Sequence, residues 1–480
     1  MAIYVKEIRT IVEKKYIGFG PNTNNVKPVH LANGFFRRCT EQYSDTDLLN
    51  RFVFISKANG EVPLGYDINS VVSDLEVNNR ILPEAKESSA ISSLRASLKK
   101  VVNADTGVFL HKDQMESYSA GNVHFLSQDR IAQDGGEFVA GLLLEAESPL
   151  IECVLRSLNQ DDDIITVMCS PLLLEDRHQY VFPENEVQKV ALNAIADIDL
   201  HLLDSAAHLC LHLERHPNKL VKLRHTILFT SFFILRYLAC LEALYVPSSN
   251  KKVPPFLLDL LEKTSNPVHY ASLMTYNRVC QSISRFYAWA IGQHLSELGS
   301  PEDLKREPPP PYGRTQRGES IKYPEERKEI WETATSQVDQ SDDPYTLFGQ
   351  AIYDIMLMDA NASPIHYFRR LGWRSGCLWP PNQSALTFKP KQDFLEMLIR
   401  SVVAPGESIG LAALQSRLWR NFGIVVGGHD EDQELLFASG IHQVDESSLA
   451  ENQKAFVSRL ENLNFVSLLA DGVLSVDVGS

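Results

Sequence analysis

Several signatures of enzymes are missing from these 480 residues. No GxxxxGK[ST] run is present, which excludes the phosphate cradle of a P-loop NTPase, and the isolated GFG at 18–20 is too little to hold a dinucleotide. No GxSxG nucleophile elbow occurs. The seven cysteines, at 39, 153, 169, 210, 240, 280 and 377, form no CxxC pair. That removes zinc-ribbon and thioredoxin-like chemistry and fits thiols used as apolar filler in a reducing compartment. The opening MAIYVKEIRTIVEKKY lacks the apolar run and small-residue cleavage site of an export signal, so a cytoplasmic protein is expected. Methionine is scarce, at seven, and no Met-rich groove is indicated.

Positive charge is also in short supply: 46 Lys and Arg stand against 61 Asp and Glu, a formal net charge of −15. Such a field repels phosphate and anionic lipid, so any contact with nucleic acid must be local. One run, TILFTSFFILRYLACLEALYV at 226–246, is long enough to span a bilayer. Arg236 at its centre and Glu242 within it each cost roughly 2.5 to 3.5 kcal/mol on insertion. A helix buried in a protein core is expected instead, without membrane contact.

What is present is the length and composition of a multidomain globular chain. The expected fold class is α+β, with a mixed α/β N-terminal domain (1–184), an all-helical middle domain (185–299), a Pro-rich linker (300–327), a helical connector with an Arg/Trp elbow (328–391) and a winged-helix-like domain (392–480). In the first, FVFIS (52–56) before Asn59-Gly60, EFVAGLLLE (137–145) and DIITVMCS (163–170) read as strands and ISSLRASLKKVV (91–102) as a helix. The middle domain reads as helices over 186–216, 219–246 and 268–298. Residues 301–327, with polyproline II character at Pro308–Pro311, have too few apolar side chains to fold and read as a stiff spacer. The last block reads as helices at QDFLEMLIRSVV, SIGLAALQSRLWRNFG and SSLAENQKAFVSRLENLN, then a hairpin about Asp471-Gly472. Three helices and a β-hairpin are the plan of a winged helix.

That plan suggests DNA, but the third helix leaves Glu451, Lys454, Ser458 and Glu461 outside while Leu449, Phe456, Leu460 and Leu463 face the core, a poor surface for phosphate. The stronger basic feature is FRRLGWRSGCLWPPN (368–382). Its Arg369, Arg370, Trp373 and Arg374, with Arg417, Arg420, Lys454 and Arg459 downstream, are the candidate nucleic-acid residues: arginine offers a planar fork for phosphate and tryptophan a stacking face. A packed elbow is the favoured reading of the stretch, because Leu371 and Leu378 fall at core-like spacing.

A second candidate lies in HLLDSAAHLCLHLERH (201–216), which lines His201, Asp204, His208, His212 and His216 on one helical face. Spacing i, i+4 lets Asp204, His208 and His212 share one divalent ion, although a solvated polar face is the simpler expectation and no cofactor is otherwise implied. Glu137, Glu145 and Glu147 on one apolar run would be the carboxylates of a metal-dependent nuclease, yet no ExK follows them.

The C-terminal quarter, from RRLGWRSGCLWPPN through RNFGIVVGG to RLENLNFVSLLADGVLSV, resembles the tail of large bacterial accessory subunits in multi-gene anti-phage defence systems, which work beside ATPases and nucleases. The resemblance covers about the last 120 residues and carries no catalytic motif. It implies a non-enzymatic subunit of a cytoplasmic DNA-targeting complex that docks protein partners, an ATPase or nuclease among them, with the Arg/Trp segment as the candidate DNA contact. A metal-dependent nuclease and a winged-helix transcriptional regulator are the alternatives.

Overall fold

The computed structural model describes residues 4–21, 26–44, 134–161, 201–247, 253–310, 324–358, 363–381, 385–468 and 474–479, with isolated positions or short runs between 73 and 195 and between 314 and 319. In chain order the first elements are α1 (Val5–Val12), a π-helical turn (Glu13–Ile17), α2 (Pro28–Thr40), β1 (Gln42–Ser44), α3 (Asp134–Glu145), α4 (Pro149–Leu158), β2 (Arg177–Gln179), α5 (Leu202–Arg215) and α6 (Lys219–Tyr245). They are followed by β3 (Phe256–Leu257), α7 (Pro267–Leu298), α8 (Pro301–Arg306), β4 (Arg314–Thr315), β5 (Gly318–Glu319), α9 (Pro324–Gln337), α10 (Pro344–Leu357) and α11 (Pro364–Ser375). The last are β6 (Leu378–Trp379), β7 (Thr387–Phe388), α12 (Gln392–Arg400), β8 (Ser408–Gly410), α13 (Leu411–Phe422), β9 (Ile424–Val425), α14 (Asp430–Ala438), α15 (Glu446–Asn462), β10 (Val466–Leu468) and β11 (Leu474–Asp477). The protein is mostly helical with a few small sheets, α+β at this coarse level. It divides into two compact units: residues 1–26, 185–212 and 231–480 form one, residues 27–184 and 213–230 the other.

In the smaller unit α2 and α3 cross closely because Gly136 has no side chain: a Cβ there would run into the backbone of Leu31 and Phe35. Phe35, Phe36, Phe138, Leu142 and Leu143 are buried around the crossing. EFVAGLLLE is thus helix, not strand. Residues 138–143 of α3 are all buried, so the apolar run carries no helical alternation to read, while its leucines and alanine favour helix. FVFIS and its Asn59-Gly60 turn lie outside the described residues; of 91–102 only Ser93 and Ala96, and of 163–170 only Thr166 and Val167, are described, all four as helix.

In the larger unit α7 and α10 pack closely. A Cβ on Gly349 would collide with the carbonyl of Ala288, and one on Gly292 would lie 2.7 Å from the carbonyl oxygen of Tyr345. Two glycines therefore let the backbones touch. The stretch tested for a membrane span is α6, apolar all round and buried inside the protein, with Arg236 and Tyr237 fully buried. Tyr237 Oη reaches the carbonyls of Tyr16 (3.4 Å) and Ile17 (3.3 Å), at the end of the π-helical turn that Gly18 closes with a φ of 87°. A π turn shifts the hydrogen-bond ladder and leaves such carbonyls open to a side chain.

Three expectations need correction here. The first middle helix is interrupted: His201 is not helical and α5 starts at Leu202. The 300–327 stretch is partly held in place, since Ser300 and Asp303 make a capping box for α8, Trp331 Nε1 donates to Glu307 O (3.2 Å) and Arg327 Nη1 to Pro310 O (2.8 Å). Polyproline carbonyls lack internal partners and so are available to such donors. Finally, Ser408–Gly410 is strand β8 rather than the start of α13.

Around β3 a short ladder forms: Phe256 N donates to Gly423 O (2.9 Å), Leu258 N to Val425 O (3.0 Å) and Asp259 N to Phe388 O (2.8 Å). The C-terminal block runs α12, β8, α13, β9, α14, α15, β10, β11, and its antiparallel sheet has the order β10-β11-β8. Gly423 ends α13 with a φ of 62°, where a left-handed C-terminal glycine was expected. The helix α14 was not anticipated. The register pairs Leu468 with Leu474, and the turn containing Asp471-Gly472 lies outside the described residues.

Candidate nucleic-acid and partner interface

The Arg/Trp stretch is the end of α11 and the turn after it. Ser363 caps the helix by accepting from His366 N (3.2 Å), and Gly376, with a φ of 88°, ends it. Gly372 lets Leu378 of β6 fold back against the helix, since a Cβ there would overlap the Leu378 side chain. The chain thus doubles back on itself, and Phe368, Leu371 and Leu378 are buried. Two guanidinium groups approach the Trp373 ring, Arg374 at 5.1 Å and Arg370 at 5.8 Å from its centroid. Arg374 Nη1 donates to Val26 O (2.7 Å), and burial, with Arg370 adding to it, lowers the Arg374 pKa to about 10. Arg369, Arg370, Trp373 and Arg374 are all half-buried; Trp379 is the exposed aromatic. Burial, followed by the positive charges of Arg369 and Arg370, also pushes the His366 imidazole below its usual range. The geometry is that of an arginine-and-tryptophan cluster built into the fold.

The other candidates lie on different elements. Arg417 of α13 forms a two-pronged ion pair with Glu407, Nη1 to Oε2 at 2.8 Å and Nη2 to Oε1 at 2.6 Å, and Nη1 also reaches Val402 O (2.9 Å). These bonds hold the Glu407 carboxyl down at about 2. A guanidinium so engaged has little left for a phosphate. Arg420 is exposed at the end of α13 and Lys454 is exposed on α15. Arg459 is half-buried and lines a cavity of about 310 Å³ with Leu260, Glu262, Gln392, Leu395 and Ser458.

On α15, Leu449, Phe456 and Leu460 are buried and Glu451, Lys454, Ser458 and Glu461 are exposed, as the helical spacing implied. Sequence reasoning missed Asn452. Fully buried, it donates from Nδ2 to Leu258 O (2.8 Å) and Val426 O (2.6 Å) and accepts at Oδ1 from Leu260 N (3.0 Å). One amide thereby satisfies three backbone groups, two just after β3 and one just after β9. The only hint was an amide within a face otherwise apolar.

The histidine face of α5 does not assemble into a ligand set. Asp204 is paired with His201 Nδ1 (3.0 Å), and the ring of His212 is occupied at both nitrogens: Nε2 meets Val403 O (2.6 Å) and Nδ1 meets Arg400 Nη1 (3.3 Å). The arginine can only donate and the carbonyl only accept, so this imidazole is the neutral tautomer with its proton on Nε2. His208 is half-buried beside this pair, and among the described residues no group of three or more His, Cys, Asp or Glu is arranged to hold a metal. Of the nuclease carboxylates, Glu137 is paired with Arg37, while Glu145 and Glu147 are exposed. Burial raises the Glu137 pKa although Arg37 opposes it.

A further polar cluster, also missed, centres on the buried Asp259. Its Oδ2 accepts from His269 Nδ1 (2.8 Å) and from Thr387 Oγ1 (3.1 Å). In a catalytic triad the hydroxyl bonds to the imidazole and the imidazole to the carboxylate. Here both donors bond to the carboxylate, which ties β3, α7 and β7 together without activating a nucleophile.

The chain matches no protein-family profile, no curated protein and no solved structure.

Proposed function

We propose that this protein is a non-enzymatic subunit of a multi-protein assembly and that its C-terminal block is a winged-helix module used for protein docking. The observation that carries the reading is the outward face of α15. In the position of a recognition helix it presents Glu451, Lys454, Ser458 and Glu461, while the nearby Arg417 is bound to Glu407. Affinity for duplex DNA rests on Lys and Arg, and this face offers two acids for each base. The order α12, β8, α13, α15, β10, β11, with β8 pairing to the second hairpin strand, supports the winged-helix assignment; α14 is an insertion in that plan.

The resemblance of the C-terminal quarter to accessory subunits of anti-phage defence systems favours a cytoplasmic DNA-targeting complex, with an ATPase or nuclease as partner. In that setting DNA contact by the Arg/Trp elbow is secondary to docking. The test is co-expression of the full chain with the proteins encoded beside it, followed by size-exclusion chromatography and light scattering. A stoichiometric complex weakened by Glu451→Lys/Glu461→Lys is the expected result. A chain that stays alone with every neighbour overturns the reading.

A further inference from the structure

Among the described residues, the sheet of the C-terminal block ends in an open edge. Asp477 N donates to Phe465 O (2.9 Å), and the register continues through Val466 opposite Val476 and Ser467 opposite Ser475. Antiparallel neighbours exchange hydrogen bonds at every second pair. Phe465 and Ser467 therefore turn their backbone groups toward β11, and Val466 and Leu468 turn theirs away from it. Because β11 is flanked by β10 and β8, and no strand among the described residues pairs with β10 on its other side, the outer side of β10 is a sheet edge. Leu468 is 70% exposed there, on the same face as Leu474 and the fully buried Val476, so the apolar face of the hairpin runs past the core.

Proteins commonly blunt such an edge with lysine, proline or a bulge. Phe465–Leu468 and Leu474–Asp477 contain no proline and no basic residue, and the register has no bulge. Among the described residues, the exposed charges nearest in sequence, Glu461 and Asp477, are both acidic in a chain of formal net charge −15. Open N–H and C=O groups at strand spacing are complemented by another extended backbone. We infer that the outer edge of β10 accepts an extended segment of a partner protein, apolar at alternate positions and flanked by basic residues. This deepens the docking reading and rests on it.

The probe is the peptide Lys-Val-Thr-Val-Thr-Val-Lys, its copy N-methylated at alternate residues, and the full chain, with hydrogen exchange read at single amides. The peptide is expected to slow exchange of the Val466 and Leu468 amides about tenfold and to leave the Ser467 amide unchanged. The N-methylated peptide, and the variant Leu468→Pro, should abolish the effect; Leu468→Lys, which keeps the backbone donor, should weaken it. Unchanged exchange at both amides overturns the inference. So does a wild-type dimer that Leu468→Lys dissociates, since the edge then serves a second copy. A complex with a neighbouring protein that survives both variants at full affinity removes the edge and keeps the docking reading. Absence of any complex with the wild-type chain removes both.

Discussion

The guanidinium of Arg236 stands where a side chain on Gly423 would begin. Arg236 is fully buried, donates to Pro254 O (2.6 Å) and lies 4.4 Å over the Phe256 ring, while Gly423 returns its carbonyl to Phe256 N. Burial lowers the Arg236 pKa. A charge in the core is thus accommodated by a carbonyl, an aromatic face and a missing Cβ.

Gly423→Ala combines left-handed strain with displacement of that arginine and is expected to cost about 3 kcal/mol or more. Arg236→Met, which removes a buried charge at similar length, is expected to be nearly neutral. The double variant should recover most of the loss. Urea midpoints of the four chains form the cycle, and additive effects would refute the coupling.

Gly292→Ala and Gly349→Ala each push α7 from α10 and are expected to destabilise by about 1–3 kcal/mol. Gly410, whose Cβ would meet nothing within 4 Å, is the control. Gly410→Ala should shift stability by no more than about 0.5 kcal/mol. Equal midpoints for the three variants would mean that the helices do not touch at the glycines.

The Glu407–Arg417 pair predicts a pH dependence of definite sign. The Glu407 carboxyl falls from the usual 4.5 to about 2, chiefly through its hydrogen bonds with Arg417, against an opposing effect of burial. The unfolded chain takes up this proton first, so the stabilisation is complete above about 4.5 and vanishes as pH falls through about 2. With each side chain about a third exposed, screening reduces the pair to about 1 kcal/mol. Glu407→Gln should lose that amount at neutral pH and match the wild type near the acid end. A difference that persists unchanged there would show that Glu407 acts through packing.

Arg374→Ala, which frees Val26 O and uncovers Trp373, is expected to lower stability by about 1–2 kcal/mol without changing DNA affinity. Fluorescence anisotropy of labelled single- and double-stranded DNA, at low and physiological salt, should show no sequence-selective binding by the wild-type chain. Salt-sensitive binding lost in Arg370→Glu, with the fold intact, would make the elbow a phosphate-contacting surface instead.

Periodic segments were readable in advance. The buried Leu449, Phe456 and Leu460 follow the helical period of α15, α7 runs from Pro267 to Leu298 against an expected 268–298, and Gly423 stops α13. Where every residue is apolar, as in residues 138–143 of α3, period carries no information, and the run reads wrongly as a strand. The role of Arg417 was not legible either: a basic residue looks the same in sequence whether it meets phosphate or Glu407, ten positions earlier. Asp259 and Asn452 act across separations of 128 and 192 residues, on Thr387 and from Leu260, which no local pattern encodes.

Asn452 also fixes how α15 responds to being touched. A helix held only by leucines can slide or turn by a fraction of a residue, because dispersion contacts have no preferred direction. Three directional bonds to Leu258, Leu260 and Val426 forbid that motion. Whatever settles on Glu451 and Lys454 meets a rigid bar, and any displacement it forces is passed at once to the main chain of the β3 segment, deep in the unit.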